Sequence, residues 1–459
     1  MRTLAALPPD VDTETLIRWD HRHLWHPFTQ MADWLTEEPL IIAEAEGCTL
    51  IDVRGRRYLD GVSSLWCNVH GHRHPVLDAA LRAQVDRVAH TTLLGLANRP
   101  SIELAHALVA IAPPGLTRVF YSDAGATAVE AALRMALQYQ QLRGETGRRQ
   151  FASLVEAYHG DTLGAVGVGY SEAFHRYVAS AVVPAVRLTP PHVFRWQRGL
   201  SAEAALAAAL AEAECVLTQH GPQLAALIVE PLVQGAAGMW VHPVAYLTAL
   251  HELAHRHGML FIADEVATGF GRTGRMFACE HAAITPDILC LAKGVSGGYL
   301  PLAATLTTEE IFAAFLGPYE DFRAFFHGHT YTGNPLGCAV GLASLAVFRE
   351  ARTLELLDAK VARLAERLAA DVAPLPHVGD IRQQGMMVGI ELVAAPPGRV
   401  PYPPAARIGQ RVVHAARARG VVIRPLGNVI VLMPPLAISA AEIDRLVAVT
   451  GEAIHEATG

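Results

Sequence analysis

The sequence predicts an α/β protein with a mostly parallel central sheet and a smaller α+β part built from both chain ends. Two observations carry that expectation. Short runs of strand length, apolar on both faces, alternate with longer helical patterns through the middle of the chain, as in parallel sheets covered by helices. The 459 residues are also 51% hydrophobic and only 18% charged, enough apolar material for the core of two or three domains.

In chain order, RVFYSD (Arg118 to Asp123) reads as a strand and ATAVEAALRMALQYQQ after it as a helix. AALIVEPL (Ala225 to Leu232) is a buried strand, followed by a helix from about Val244 to His257. MLFIADEV (Met259 to Val266), DILCLAK (Asp287 to Lys293) and LAATL (Leu302 to Leu306) are further strands. Beyond about Gly333 the pattern turns helical, then returns to β runs at MMVGIEL and VIVLMPP. A last helix starts at Ser439, with Glu442 three residues on as a capping box. The proline-rich AAPPGRVPYPPAAR (Ala394 to Arg407) is a loop. Residues 76–345 thus form a large α/β domain, and residues 1–75 and 346–459 together form the smaller one.

Several function classes fall away on composition. With 37 basic against 44 acidic residues the net charge is −7, which leaves no basic field for nucleic acid. Six cysteines without a C-x-x-C pair do not make a disulfide scaffold. The start, MRTLAALPPDVDTE, is not a signal peptide. CAVGLASLAVF (Cys338 to Phe348), the longest strongly apolar stretch, is far short of the roughly 20 residues a membrane span needs. A cytoplasmic protein with neither a membrane nor a nucleic-acid partner is expected.

Chemistry concentrates at strand ends. Asp264 closes an apolar strand in FIADE, where a buried carboxylate needs a cation or a strong donor. Lys293 closes DILCLAK, at the sheet edge where ligands bind in this architecture. An acid and a lysine 29 residues later suit a pyridoxal phosphate site, the acid on the ring nitrogen and the amine as Schiff base. Gly125 and Ala126 open a helix whose free N–H groups attract a phosphate, although an ordinary start capped by Ser122 or Asp123 reads equally well. In AYHGDT, Tyr158 offers an aromatic face for a ring, and Asp161 follows it. GFGRTG (Gly269 to Gly274) matches a dinucleotide pattern, but no convincing long helix follows it and that reading is rejected. The histidine-rich HRHLWH (His21 to His26) and HGHRHP (His70 to Pro75) read as loops with polar packing roles, and no metal is expected.

Taken together, IVEPLVQGAAGM, FIADEVATGFGRTGRMFACEH and PDILCLAKGVSGGYLP resemble the class III pyridoxal phosphate aminotransferases of fold type I, over almost the whole chain. HLWHPFTQM, GVSSLWCNVHGH, AYHGDT, HGHTYTGNPLGCA and VIRPLGN resemble in particular the biotin-pathway branch of that family. The resemblance implies small-molecule substrates, with 8-amino-7-oxononanoate aminated to 7,8-diaminononanoate by an amino donor. Another ω-aminotransferase of the family, of the 4-aminobutyrate, ornithine or ω-amine:pyruvate type, is the alternative; a non-catalytic binding protein on the same fold is a more distant one. By motif, Lys293 resembles the Schiff-base lysine and Asp264 the ring-nitrogen partner, Gly125 and Ala126 the phosphate cup, and Tyr158 the aromatic over the ring. His329 and Thr330 match residues that reach the phosphate from a neighbouring subunit, which implies a homodimer with shared sites. Arg424 matches the arginine for the keto substrate's carboxylate, and Phe28, Leu65, Trp66 and Gly328 match substrate positions.

The chain departs from members that use S-adenosylmethionine, which usually carry Tyr at Phe28, Trp at Leu65, Pro at His329 and Ser at Ala126. Losing a phenol donor and an indole face favours lysine as donor, with S-adenosylmethionine kept open.

Overall fold

A computed structural model describes residues 11–395 and 399–459. Residues 1–10 of the N-terminal stretch, and 396–398 within the proline-rich run, lie outside the described residues. The central sheet has seven strands: β1 (Leu116–Ser122), β2 (Gln150–Leu154), β3 (Val186–Leu188), β4 (Leu224–Val229), β5 (Leu260–Asp264), β6 (Ile288–Leu291) and β7 (Ala303–Thr308). They stand in the order β1-β7-β6-β5-β4-β2-β3. The β5 strand runs parallel to β6 and β4, and β2 runs parallel to β3 and β4. Only β7 is reversed, antiparallel to both β6 and β1. The other six strands therefore all end at one edge, where ligand sites form in open α/β sheets.

Apolar sequence explains the centre of this sheet: every residue of β4, β5 and β6 is buried. The helix Gly125–Leu142 presents Ala128, Val129, Ala132, Leu133 and Ala136 to the sheet, a helical spacing that buries one face. Away from the central sheet, the two ends of the chain meet. Val421 and Val422 pair in parallel with Leu59 and Asp60, completing a four-stranded sheet with Ile42–Glu46 and Thr49–Asp52. A further antiparallel sheet joins Val378–Gln384, Met387–Ala395, Val429–Leu432 and Arg424–Leu426.

The last helix, Ala440–Thr458, starts as its sequence signals: Ser439 accepts from the Glu442 N–H, and the Glu442 carboxylate accepts from the Ser439 N–H. Four local expectations are corrected. Lys293 does not end a strand, because β6 stops at Leu291 and Lys293 opens a short 3-10 turn, Lys293–Ser296. The helix at Gly125 is capped neither by Ser122 nor by Asp123; its N-cap is Ala124, with the Thr127 hydroxyl accepting from the Asp123 and Ala124 N–H groups. His21 and His23 lie in the last turn of the helix Thr13–His23 rather than in a loop, a favourable end for cations against the helix dipole. Within the proline-rich run, Val400–Pro401 pairs with the strand Met387–Ala395, so part of it is strand.

Candidate active site

A cleft of about 770 Å³ opens at the strand-end edge. Each parallel strand around it delivers a loop. After β1 come Asp123, Ala124, Gly125 and Ala126; after β2, Tyr158 to Thr162; after β4, Glu230; at the end of β5, Asp264; after β6, Lys293. Register brings the last two together: Asp264 is paired with Cys290 across β5 and β6, three residues before Lys293. Leu65 and Trp66 from the N-terminal region close another wall, and the Lys293 amine lies 5.2 Å from the Trp66 ring centroid.

The local backbone is unusual for side-chain-bearing residues. Lys293 (φ 45°), Ser63 (52°), Ser64 (62°) and Trp66 (65°) all occupy the left-handed region. Such conformations cost on the order of 1–3 kcal/mol each and persist where surrounding structure imposes them, commonly at functional sites. Here two of them aim Lys293 and Trp66 into the cleft.

The charges are arranged by hydrogen bonds. His159, buried, sets Nδ1 2.7 Å from Asp264 Oδ2, and the Val266 N–H donates to Asp264 Oδ1 at 3.0 Å. Tyr158 donates its hydroxyl to Asp161 at 2.6 Å, and its backbone N–H goes to Glu230 Oε2 at 3.1 Å. Glu230 Oε1 accepts from the Gly235 N–H at 2.9 Å. Burial pushes the Glu230 carboxyl up to about 7, with Asp264 adding to the effect and His159 opposing it. Burial also depresses the Lys293 amine below the ordinary lysine range, against the pull of Asp264 and Glu230. The Tyr158 phenol is driven well above its usual value by burial and by the Asp161 bond. Lys293 forms no ion pair among the described residues, so its amine is available to a ligand.

Leu65, Trp66, Gly125, Ala126, Tyr158, Asp264 and Lys293 therefore converge on one cleft. The other expected residues do not line it. Arg424, half-buried and within electrostatic reach of Tyr158, begins the strand Arg424–Leu426, which leads into the wall of a neighbouring cavity of about 820 Å³. That cavity shares Tyr158 and Ala236 with the first. Phe28 is exposed, edge-on to Phe174 of the second cavity. Gly328, His329 and Thr330 lie outside the lining; Thr330 is exposed, and His329 touches the rim only through Asp123, at 2.7 Å. Two residues beyond those expected from the sequence belong here: His159 and Glu230. Glu230 carried the same signal as Asp264, an acid directly after an apolar strand; His159 carried none, because its partner is 105 positions away. Three histidines of the two rich segments pack against polar partners, His26 with Asp20, His72 with Asp60 and His70 with Ser344, whereas a buried ring nitrogen of His21 and one of His74 have none among the described residues. No group of three or more side chains that could hold a metal occurs among the described residues.

The residues fit pyridoxal phosphate. The Ser122 hydroxyl, His159 Nε2, Trp66 Nε1 and Thr162 hydroxyl are buried at this edge without a hydrogen-bond partner among the described residues. A phosphate cradle requires close backbone approach, and the structure shows it. A Cβ on Gly125 would lie 2.6 Å from Val266 Cγ1, and one on Gly160 (φ +116°) would lie 2.3 Å from Ala126 Cβ. Gly160→Ala is therefore expected to displace Ala126 and weaken pyridoxal phosphate binding roughly tenfold or more, as titration by cofactor fluorescence checks. Unchanged binding would contradict the cradle.

Comparison with known proteins agrees with the geometry. The family described as Aminotransferase class-III matches residues 31–454. An adenosylmethionine-8-amino-7-oxononanoate aminotransferase of Nitratidesulfovibrio vulgaris is 58% identical over 437 residues, covering 95% of this chain and 80% of that protein. The crystal structure of the Methanocaldococcus jannaschii protein of the same name superposes with a TM-score of 0.92 at 43% identity, covering 97% of this chain and 99% of that one. An amine transaminase from an uncultivated Pseudomonas species, solved with pyridoxal phosphate bound, gives 0.90 at 37% identity, with 95% and 99% covered. The fold is fold type I and the cofactor is pyridoxal phosphate; the chain belongs to the class III aminotransferases.

Proposed function

We propose that the protein transfers an amino group to 8-amino-7-oxononanoate, giving 7,8-diaminononanoate for biotin synthesis. The observation that carries this reading is the half-buried Lys293 amine, unpaired among the described residues and beside Asp264 in the cleft, with a half-buried arginine, Arg424, on the strand that leads to the neighbouring cavity. The relatives described above, named as adenosylmethionine-8-amino-7-oxononanoate aminotransferases, support the choice of acceptor.

Bound pyridoxal phosphate supplies the electron-withdrawing ring that makes a proton on the amine-bearing carbon removable. The protein's residues do the rest. Backbone N–H groups of Gly125 and Ala126 hold the phosphate, and Asp264, oriented by His159 and the Val266 N–H, holds the ring nitrogen. Nζ of Lys293 takes the proton leaving the donor's carbon and, in the second half of the cycle, supplies the proton that the former ketone carbon gains. A depressed amine suits this work because it is neutral, and so able to accept, over a wider pH range. Trp66 and Tyr158 exclude water, and Arg424 pairs with the acceptor's carboxylate. We take S-adenosylmethionine as the donor, as in the relatives' names. Lysine is the second reading, favoured by Phe28 and by an aliphatic Leu65 in the cleft wall.

We further propose a homodimer in which His329 and Thr330 serve the partner's site. They lie off their own chain's cleft lining, in a segment that also exposes Tyr319 (89%), Phe322 (64%), Phe326 (67%) and Tyr331 (58%). Residues 76–345 are proposed as the large cofactor domain, with 1–75 and 346–459 as the small one. Six unpaired cysteines support a cytoplasmic location.

Single-turnover absorbance of the cofactor-loaded protein tests the activity. S-Adenosylmethionine is expected to convert the bound cofactor, and 8-amino-7-oxononanoate to convert it back. Silence with that ketone beside strong turnover of 4-aminobutyrate, ornithine or ω-amines with pyruvate contradicts the reading. Arg424→Ala should raise the keto-acid requirement by roughly tenfold to a hundredfold and spare the donor half-reaction, whereas equal damage to both halves removes its assignment. Sedimentation velocity is expected to find a two-copy particle; a monomer at micromolar concentration contradicts the shared site.

A further inference from the structure

Four carboxyl groups line the cleft: Asp123, Asp161, Glu230 and Asp264. Three are engaged by side chains. Asp264 is held by His159, Asp161 by the Tyr158 hydroxyl with His175 at 3.4 Å, and Asp123 by His329. Glu230 differs. Its only hydrogen bonds among the described residues come from two backbone N–H groups, those of Tyr158 and Gly235, one to each oxygen. It is 5% exposed, in the same wall as Tyr158 and next to the strand that carries Asp264. A carboxylate this desolvated is costly without a cation, and two neutral donors offset only part of that cost. Each oxygen keeps lone-pair capacity for a further donor. The site is thus built for a cation that arrives with the ligand.

Resting on the proposed activity, we infer that Glu230 determines acceptor specificity by pairing with the ammonium group adjacent to the reacting ketone. The acceptor 8-amino-7-oxononanoate carries its amine on the carbon beside the carbonyl, and Glu230 and Lys293 line the same cleft, so a ketone carbon placed to receive a proton from Lys293 carries that ammonium into the cleft that Glu230 lines. Opposite charge alone does not select Glu230, because Asp161 and Asp264 are also acidic; availability does. The raised titration of Glu230 agrees with a carboxylate short of a cation, and an incoming ammonium would hold it ionised. The pairing also gives discrimination of a kind an apolar pocket lacks. A ketone without the amine would leave the buried carboxylate unpaired, whereas one methylene more or less in an apolar slot changes little.

The test compares two acceptors, 8-amino-7-oxononanoate and 7-oxononanoate, against cofactor-loaded protein already carrying the donor's amine. The readout is the ratio of their kcat/KM values. Wild-type protein is expected to favour the amino ketone by roughly tenfold to a hundredfold, the size associated with a hydrogen bond to a charged group. Glu230→Gln should collapse that ratio towards one, and Glu230→Asp, which keeps the charge, should retain more of it than Glu230→Gln. General damage to the fold lowers both acceptors together and leaves the ratio standing, which would overturn the proposal, as would a wild-type ratio below about threefold. If the wild-type protein does not aminate 8-amino-7-oxononanoate at all, the proposed activity itself fails; if it does so with a ratio that Glu230→Gln leaves intact, only the role of Glu230 fails.

Discussion

The structure depends on keeping ionisable groups out of water at the carboxyl edge of a parallel sheet. Strands β4, β5 and β6 are buried along their whole length, so the carboxylates at the ends of β4 and β5, Glu230 and Asp264, are buried at the cleft. Charges there must be met by hydrogen bonds or by a ligand. Asp264 is met by His159 and a backbone N–H; Glu230 by two backbone N–H groups; Lys293, among the described residues, by no carboxylate at hydrogen-bonding distance. The lysine is consequently the group whose chemistry is open, and burial keeps it in the reactive neutral form more readily than an exposed lysine.

Reversal of a single strand serves the same end. Because β7 is antiparallel to both neighbours, β1 regains the direction of β6 and ends at the shared edge. The helix that follows β1 then opens at Gly125, where Gly125 and Ala126 line the cleft and the helix dipole favours an anion. The residues proposed to bind the phosphate, orient the ring and supply the reacting amine therefore come from three separated stretches of sequence that the sheet makes adjacent. The left-handed backbones at Trp66 and Lys293 are local costs borne by that rigid frame.

Much of this was legible in the sequence, for identifiable reasons. Apolar runs such as LIVE and FIAD mark strands because both faces are covered, and Ser439 with Glu442 marks a helix start because the cap is local. Asp264 stands out as an acid after an apolar run. What the sequence hid was set by tertiary structure. The end of β6 before Lys293 follows from the turn that Lys293 begins, and His159 gains its meaning only from contact with Asp264. Ala124 rather than Ser122 or Asp123 caps the helix Gly125–Leu142 because the Thr127 hydroxyl reaches back to accept from the Asp123 and Ala124 N–H groups. Phe28 and the Gly328–Thr330 segment, matched by motif to the site, stand apart from the cleft lining in a single chain.

The most direct measurement of the central claim is chemical trapping. Borohydride reduction of the cofactor-loaded protein, followed by peptide mass mapping, is expected to find one cofactor-derived tag, on Lys293. A tag on another lysine, or none, would contradict the account of this cleft.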